Sequence, residues 1–124
     1  MAATIADAVF DAALNYLETN GTVVHILSQA ATVGSTDAFT YTLGNETGCS
    51  YTGPDDHTSG RKTILDAITD GDVTGTTDAT HFAITTADAF VALVVQELDS
   101  SQGVTSGNKF TLTAVTIAIP DPTA

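Results

Sequence analysis

The run Phe90-Val91-Ala92-Leu93-Val94-Val95 restricts the fold more than any other stretch of the chain. It is apolar at both parities, with Phe90, Ala92 and Val94 on one side and Val91, Leu93 and Val95 on the other. A strand that is apolar on both faces needs cover on both faces. The run reads as the second arm of a β-hairpin within Thr80 to Leu98. His81 to Ile84 form the first arm, and Thr85-Thr86-Ala87-Asp88 are small or polar enough for the turn. One face of the second arm is expected to meet an opposing sheet of this chain. The other should meet the N-terminal helix or another subunit.

The rest of the chain supplies short strands at turn-marked spacing and one helix. Thr4 to Thr19 has helical periodicity, with Ile5, Val9, Ala12, Ala13, Tyr16 and Leu17 as the buried stripe and Phe10 and Leu14 widening it. Thr4 with Asp7 resembles a capping box, and Asn20-Gly21 is a plausible stop. Thr22 to Ser28 reads as a strand. Ala38 to Leu43 alternates, with Phe39, Tyr41 and Leu43 on one face, and Gly44 to Gly48 reads as a turn. Asp70-Gly71-Asp72 reads as a turn between two short strands, and Asp99 to Gly103 as a polar connection. In the last strand, Lys109 to Ile119, the apolar parity shifts from Phe110, Leu112 and Ala114 to Val115, Ile117 and Ile119. A bulge near Ala114-Val115 would keep both sets on the core; otherwise the second half faces another sheet or subunit. Prolines end this strand and leave an extended tail.

The fold expected is therefore mainly β: an antiparallel β-sandwich of about six to eight short strands with one N-terminal α-helix. It forms a single domain over residues 1–124, with the helix at about 4–19, the sandwich at about 22–119 and the tail at 120–124.

Charge narrows the partners. Three Lys and Arg stand against fifteen Asp and Glu, a formal net charge of −12. No basic footprint exists to displace counterions from a phosphate backbone, so nucleic acid is excluded as a partner. Anionic lipid is disfavoured for the same reason, and the apolar runs are too short to span a bilayer. One cysteine, Cys49, rules out an internal disulfide or a cysteine-based metal cluster. The N-terminus lacks the basic and apolar regions of a signal peptide, which points to synthesis in a cytoplasm.

No constellation for catalysis stands out. His25, His57 and His81 fall on two strands and a loop, and no nucleophile-elbow or zinc-helix signature accompanies them. Asp55, Asp56 and His57 are three possible metal ligands in a row, and Asp70 and Asp72 superficially resemble the start of a calcium loop. Adjacent residues rarely converge on one ion, and the remaining oxygen ligands of a calcium loop are missing. No metal site, cofactor or catalytic residue is assigned, and these five residues stand as weak candidates only. They sustain one alternative of another class, an ion- or carbohydrate-binding module.

Several segments together resemble a family of small virion structural proteins of tailed bacteriophages. They are ADAVFDAALNYLETNGT at Ala6 to Thr22, VVHILSQA at Val23 to Ala30, and Tyr41-Thr42-Leu43-Gly44-Asn45. Gly60-Arg61-Lys62, the DATHFAI stretch at Asp78 to Ile84, and SSQGVTSGNKFTLTAVTIAIPDP at Ser100 to Pro122 complete the order. The resemblance implies a protein made in the host cytoplasm and located in the virion. It would be a capsid decoration or cementing protein present in many copies, or alternatively a tail, neck or fibre-base component. The implied partners are further copies of the chain and other virion proteins, such as the major capsid protein or the tail and neck proteins. It carries over no catalytic residue. Its expected interfaces are apolar strand faces and the tail: Val91, Leu93 and Val95, then Val115, Ile117 and Ile119, with Pro120 and Pro122.

Overall fold

Val23-Val24-His25-Ile26-Leu27 is buried at every position, and the architecture is built outward from it. The computed structural model describes residues 4–122. In chain order these form α1 (Asp7–Asn20), β1 (Val23–Leu27), α2 (Ala38–Tyr41), β2 (Thr42–Thr47), β3 (Tyr51–Asp56) and β4 (Arg61–Leu65). Then come β5 (Ile68–Val73), β6 (Thr77–Thr85), β7 (Ala92–Val104), β8 (Lys109–Leu112) and β9 (Val115–Ile119). A six-stranded antiparallel sheet has the order β7-β6-β1-β2-β5-β8, and a three-stranded antiparallel sheet has the order β3-β4-β9. The mainly β, sandwich-like fold with one N-terminal helix is as expected, although the described residues form nine strands rather than about six to eight.

The main core lies on the inner side of the large sheet. Val24 pairs with Ile84 and Ile26 with Phe82, which sets these four side chains on one face. Leu43, Val73 and Phe110 extend the same cluster, Leu65 joins it from the small sheet, and Leu17 joins it from α1. The opposite face of β1 is covered by the chain between residues 28 and 41, not by a second sheet. Leu27, Ala38 and Ala83 form a separate buried cluster there, with Tyr41 and Val95 against it.

That cover overturns the strand expected at Ala38 to Leu43. Ala38–Tyr41 is a single helical turn, and the strand begins at Thr42. The Asp37 carboxylate accepts the Thr32 N–H at 2.9 Å, which folds the preceding loop back on itself. Ala38 then packs under Leu27, while Phe39 is 66% exposed. The alternation of Phe39, Tyr41 and Leu43 does not correspond to one face of a strand. The turn expected at Gly44 to Gly48 is corrected too, because Gly44 to Thr47 continue β2.

The opening hairpin is real but displaced. Its arms are β6 and β7, and Phe90 and Val91 lie in the connection. Phe90 has φ 54°, and the pair Thr86 and Val91 closes the loop, with the Thr86 N–H donating to the Val91 carbonyl. A register shift at Ile84/Thr85 then separates the residues expected to share a face. Leu93 and Val94 pack against the main core, and Val95 packs on the other side. Asp99 to Gly103 is not a connection but part of β7. Thr80 stands opposite a bulge there, since His81 pairs with Glu97 and Ala79 with Gln102.

Helix α1 starts at Asp7, not Thr4. Its N-cap is Ala6 and makes no side-chain cap bond, so the Thr4–Asp7 box does not form. The stop at Asn20-Gly21 does form, with the Gly21 N–H on the Leu17 carbonyl at 2.7 Å. The buried stripe is Phe10, Leu14 and Leu17, spaced i, i+4, i+7. Ile5, Val9 and Tyr16 are 39%, 59% and 60% exposed, which leaves one side of the helix without cover.

The parity shift in the last strand marks a change of sheet. Lys109–Leu112 ends the large sheet as β8, and Val115–Ile119 joins the small one as β9, with Thr113-Ala114 as the crossing. No bulge is needed: Phe110 and Leu112 stay with the large sheet, Val115, Ile117 and Ile119 go to the small one, and Ala114 is exposed in the crossing. Asp70-Gly71-Asp72 is likewise strand, within β5. Gly71 has no room for a side chain, because the Phe110 ring lies 2.1 Å from where a Cβ would stand. Phe110 is buried and cannot swing aside. Gly71→Ala is therefore expected to destabilise the protein by about 1–3 kcal/mol through overpacking, read as a lower urea midpoint. An unchanged midpoint would show that Phe110 is not held over Gly71.

Candidate functional site

The acidic and histidine candidates from the sequence do not assemble. Asp55, Asp56 and His57 are exposed at the end of β3 and in the turn after it. Asp56 accepts a hydrogen bond from the Arg61 guanidinium, whose Nε donates to Asp11 Oδ1 at 2.8 Å. Arg61 thus ties α1 to the small sheet. Asp70 and Asp72 flank Lys109, which donates to Asp72 Oδ1 and stands 3.9 Å from Asp70 Oδ1. Of the three basic residues, Lys62 alone forms no salt bridge among the described residues. No three of His, Cys, Asp and Glu are placed to share a metal ion among the described residues. Calcium is expected to leave the melting temperature unchanged, since a ligand stabilises only by binding the folded state. A rise would mean that calcium binds the folded chain, with Asp55, Asp56, Asp70 and Asp72 the first carboxylates to vary.

The three histidines are placed differently. His57 is exposed in the β3–β4 turn. His25 and His81 do lie on adjoining strands, on one face and two residues out of register, with His25 opposite Ala83 and Leu27 opposite His81. Each is engaged by a threonine instead of by the other. His81 Nδ1 is 2.8 Å from Thr80 Oγ1, which itself donates to the Ser28 carbonyl at 3.1 Å. His25 Nδ1 is 2.9 Å from Thr42 Oγ1, and that hydroxyl donates to the Gly44 carbonyl at 3.1 Å. With the Thr42 hydroxyl committed to Gly44 in this way, the His25 proton sits on Nδ1; in either tautomer Nε2 is buried and without a partner. The Phe90 ring closes over it in an edge contact at 4.6 Å.

Burial pushes the His25 pKa down from 6.5 to about 4. Asn45 and Ala83, in register beside it, and Phe90 above it carry no charge to stabilise an imidazolium. The folded state refuses a proton that the unfolded chain accepts below 6.5. The stabilisation from neutral His25 is complete above that pH, falls as pH drops through the window, and levels off below about 4. The shift corresponds to about 3 kcal/mol. A His25→Asn variant lacks this titration. Its stability deficit against the wild type should shrink by up to that amount between neutral pH and pH 4 in urea melts. A deficit independent of pH would place the His25 pKa near its ordinary value.

Cys49 offers no activated nucleophile. Its Sγ lies 3.3 Å from the Gly21 carbonyl, and burial pushes the thiol pKa up. Tyr51 donates to the same carbonyl at 2.6 Å and anchors the end of α1 to β3.

What the fold leaves open is an apolar groove of about 320 Å³. Ala13 and Tyr16 of α1 form one wall, Leu93 and Val94 of β7 another, and Ile117 and Ile119 of β9 the third. Both β7 and β9 are edge strands and flank the opening, although the loop at Gly34-Ser35 pairs with β7 at Ala92. A second, polar cleft of about 330 Å³ lies farther along the same strands, beside the β7 bulge at Leu98 to Ser101 and next to Val115. Of the interface residues expected from sequence, Leu93, Ile117 and Ile119 meet in the groove. Val115 continues β9 toward the polar cleft, Val91 is in the β6–β7 connection, and Val95 faces the other way. Pro120 and Pro122 belong to a tail that is pinned, not free: the Gly60 N–H donates to Asp121 Oδ2 at 3.1 Å, and the Asp121 N–H to Ser59 Oγ at 3.1 Å. Thr123 and Ala124 lie outside the described residues. Ala13 and Tyr16, expected in the buried stripe, are exposed and line the groove instead. The competing spacing Phe10, Leu14, Leu17 was the signal that separates them.

No family model, curated protein or solved structure matches the chain.

Proposed function

We propose that the chain is a non-enzymatic structural protein of a bacteriophage virion, a decoration or cementing protein that binds the capsid in many copies. The observation that carries this reading is the apolar groove between two open sheet edges, whose lining includes no charged side chain. Such a surface suits the apolar side chains and main chain of another protein more than a small polar substrate. The sequence resemblance supplies the virion as the setting.

Charge supports the same reading. With a net charge of −12, the chain has little to offer packaged nucleic acid, and its acidic faces suit the outside of a particle. Among the described residues, no helix is long and apolar enough to cross a membrane. Two of the three cations are already held by carboxylates within the chain, Arg61 by Asp11 and Asp56 and Lys109 by Asp72. The basic residues are thereby largely committed to the fold, and apolar burial is left as the main source of binding energy.

The test is copy number in purified particles, measured by quantitative mass spectrometry. A decoration protein is expected on the order of hundreds of copies, following the capsid lattice, and particles lacking it should lose heat resistance. About a dozen copies or fewer would move the protein to the tail, neck or fibre base. Absence from particles would overturn the virion reading.

A further inference from the structure

Four strands end the two sheets: β7 and β8 in the larger, β3 and β9 in the smaller. An open edge templates further pairing unless something blocks it. Three of the four are blocked. β3 carries Pro54, a register break between Thr52 and Asp55, and exposed carboxylates at Asp55 and Asp56. β8 is four residues long and begins with Lys109. β7 is interrupted by its bulge and carries Glu97 and Asp99. β9 has none of these devices. Val115-Thr116-Ile117-Ala118-Ile119 contains no charge and no proline, and its five pairs with β4 run without a break.

We propose that β9 is a self-pairing edge. Two copies join β9 to β9, antiparallel, about a two-fold axis through Ile117. The result is a continuous six-stranded sheet of order β3-β4-β9-β9-β4-β3. In this register Val115 stands opposite Ile119 of the second copy, Thr116 opposite its Ala118, and Ile117 opposite its own counterpart. The inward set shares the parity of buried Thr63 and Leu65, so the second copy's Val115, Ile117 and Ile119 enter the space beside the groove. The outward set, Thr116 and Ala118, is small and exposed.

Two features select a second copy as the occupant. The strand is nearly symmetric under reversal, with β-branched apolar residues at 115, 117 and 119 and small ones between, which is what an isologous antiparallel contact requires. The groove lining holds no carboxylate, so a basic partner finds no complementary charge there. Two chains at −12 each can instead meet along their one uncharged edge. The proposal rests on the reading of the chain as a multi-copy assembly protein and names the first contact of that assembly.

Sedimentation of the full chain across protein and salt concentrations tests it. The wild type should form a dimer that tightens as salt screens the repulsion between acidic chains. The double variant Thr116→Glu with Ala118→Glu alters only exposed positions and sets like charges opposite each other in two cross-strand pairs. It should weaken the dimer about tenfold or more while circular dichroism stays unchanged. Thr116→Lys with Ala118→Glu sets each lysine opposite the second copy's glutamate and should dimerise at least as well as the wild type. A wild type that stays monomeric at high protein and salt concentration overturns the proposal. So does a dimer indifferent to the paired glutamates, or one weakened equally by both variants. A monomer found in high copy number on particles would remove β9 pairing alone, and a dimer absent from particles would remove the virion reading alone.

Discussion

The whole structure depends on burying both faces of β1. A strand of five apolar or neutral residues in the middle of a sheet cannot be left half covered without exposing a continuous apolar surface. The chain solves the two faces by different means. The inner face meets the small sheet and α1, in ordinary sandwich fashion. The outer face has no second sheet to meet, and the excursion between residues 28 and 41, with the Phe90 loop, is folded down onto it. His25 shows what this cover costs. Its Nδ1 is satisfied by Thr42, but closing Phe90 over the ring leaves Nε2 dry and unpartnered, a loss usually in the range of about 1–3 kcal/mol.

This asymmetry explains which elements were legible in the sequence. Strand β1, α1 and the existence of the β6–β7 hairpin follow from local periodicity, and the periodicity was readable. Ala38–Tyr41 was not, because its helical turn is imposed by tertiary cover of Leu27 and by the Asp37 clasp on Thr32, and its own alternation favours a strand. The shift of parity at Ala114-Val115 is visible in the sequence. Only the topology could say that it marks a change of sheet instead of a bulge.

The candidate site was legible in part for a related reason. Leu93, Ile117 and Ile119 could be singled out as surplus apolar residues, but their convergence depends on two edges of different sheets lying on the same side of the molecule. Strand order is not encoded in the spacing of turns. The acidic candidates fail for the opposite reason. Asp70 and Asp72 share a strand as a loop motif would not, and they are spent on Lys109, a residue far away in sequence. In a chain with so few cations, each one organises the carboxylates near it, and sequence proximity among acids says little about a metal.

Charge and edge protection are two solutions to one problem, keeping a β-rich surface from pairing at random. Here they are distributed unevenly. Acidic side chains, a proline and a bulge guard β3 and β7, and Lys109 opens β8. The chain nevertheless places an uncharged, regularly paired five-residue strand at the remaining edge, beside an apolar groove. Chance exposure of an edge would not be expected to coincide with the one place where α1 also leaves Ala13 and Tyr16 uncovered. A net charge of −12 keeps such a surface from indiscriminate aggregation at long range. It does little once two copies are aligned edge to edge, because the contact itself buries no carboxylate. In the proposed dimer the acidic surface and the neutral edge would work together: the first would select against unaligned encounters, and the second would reward the aligned one.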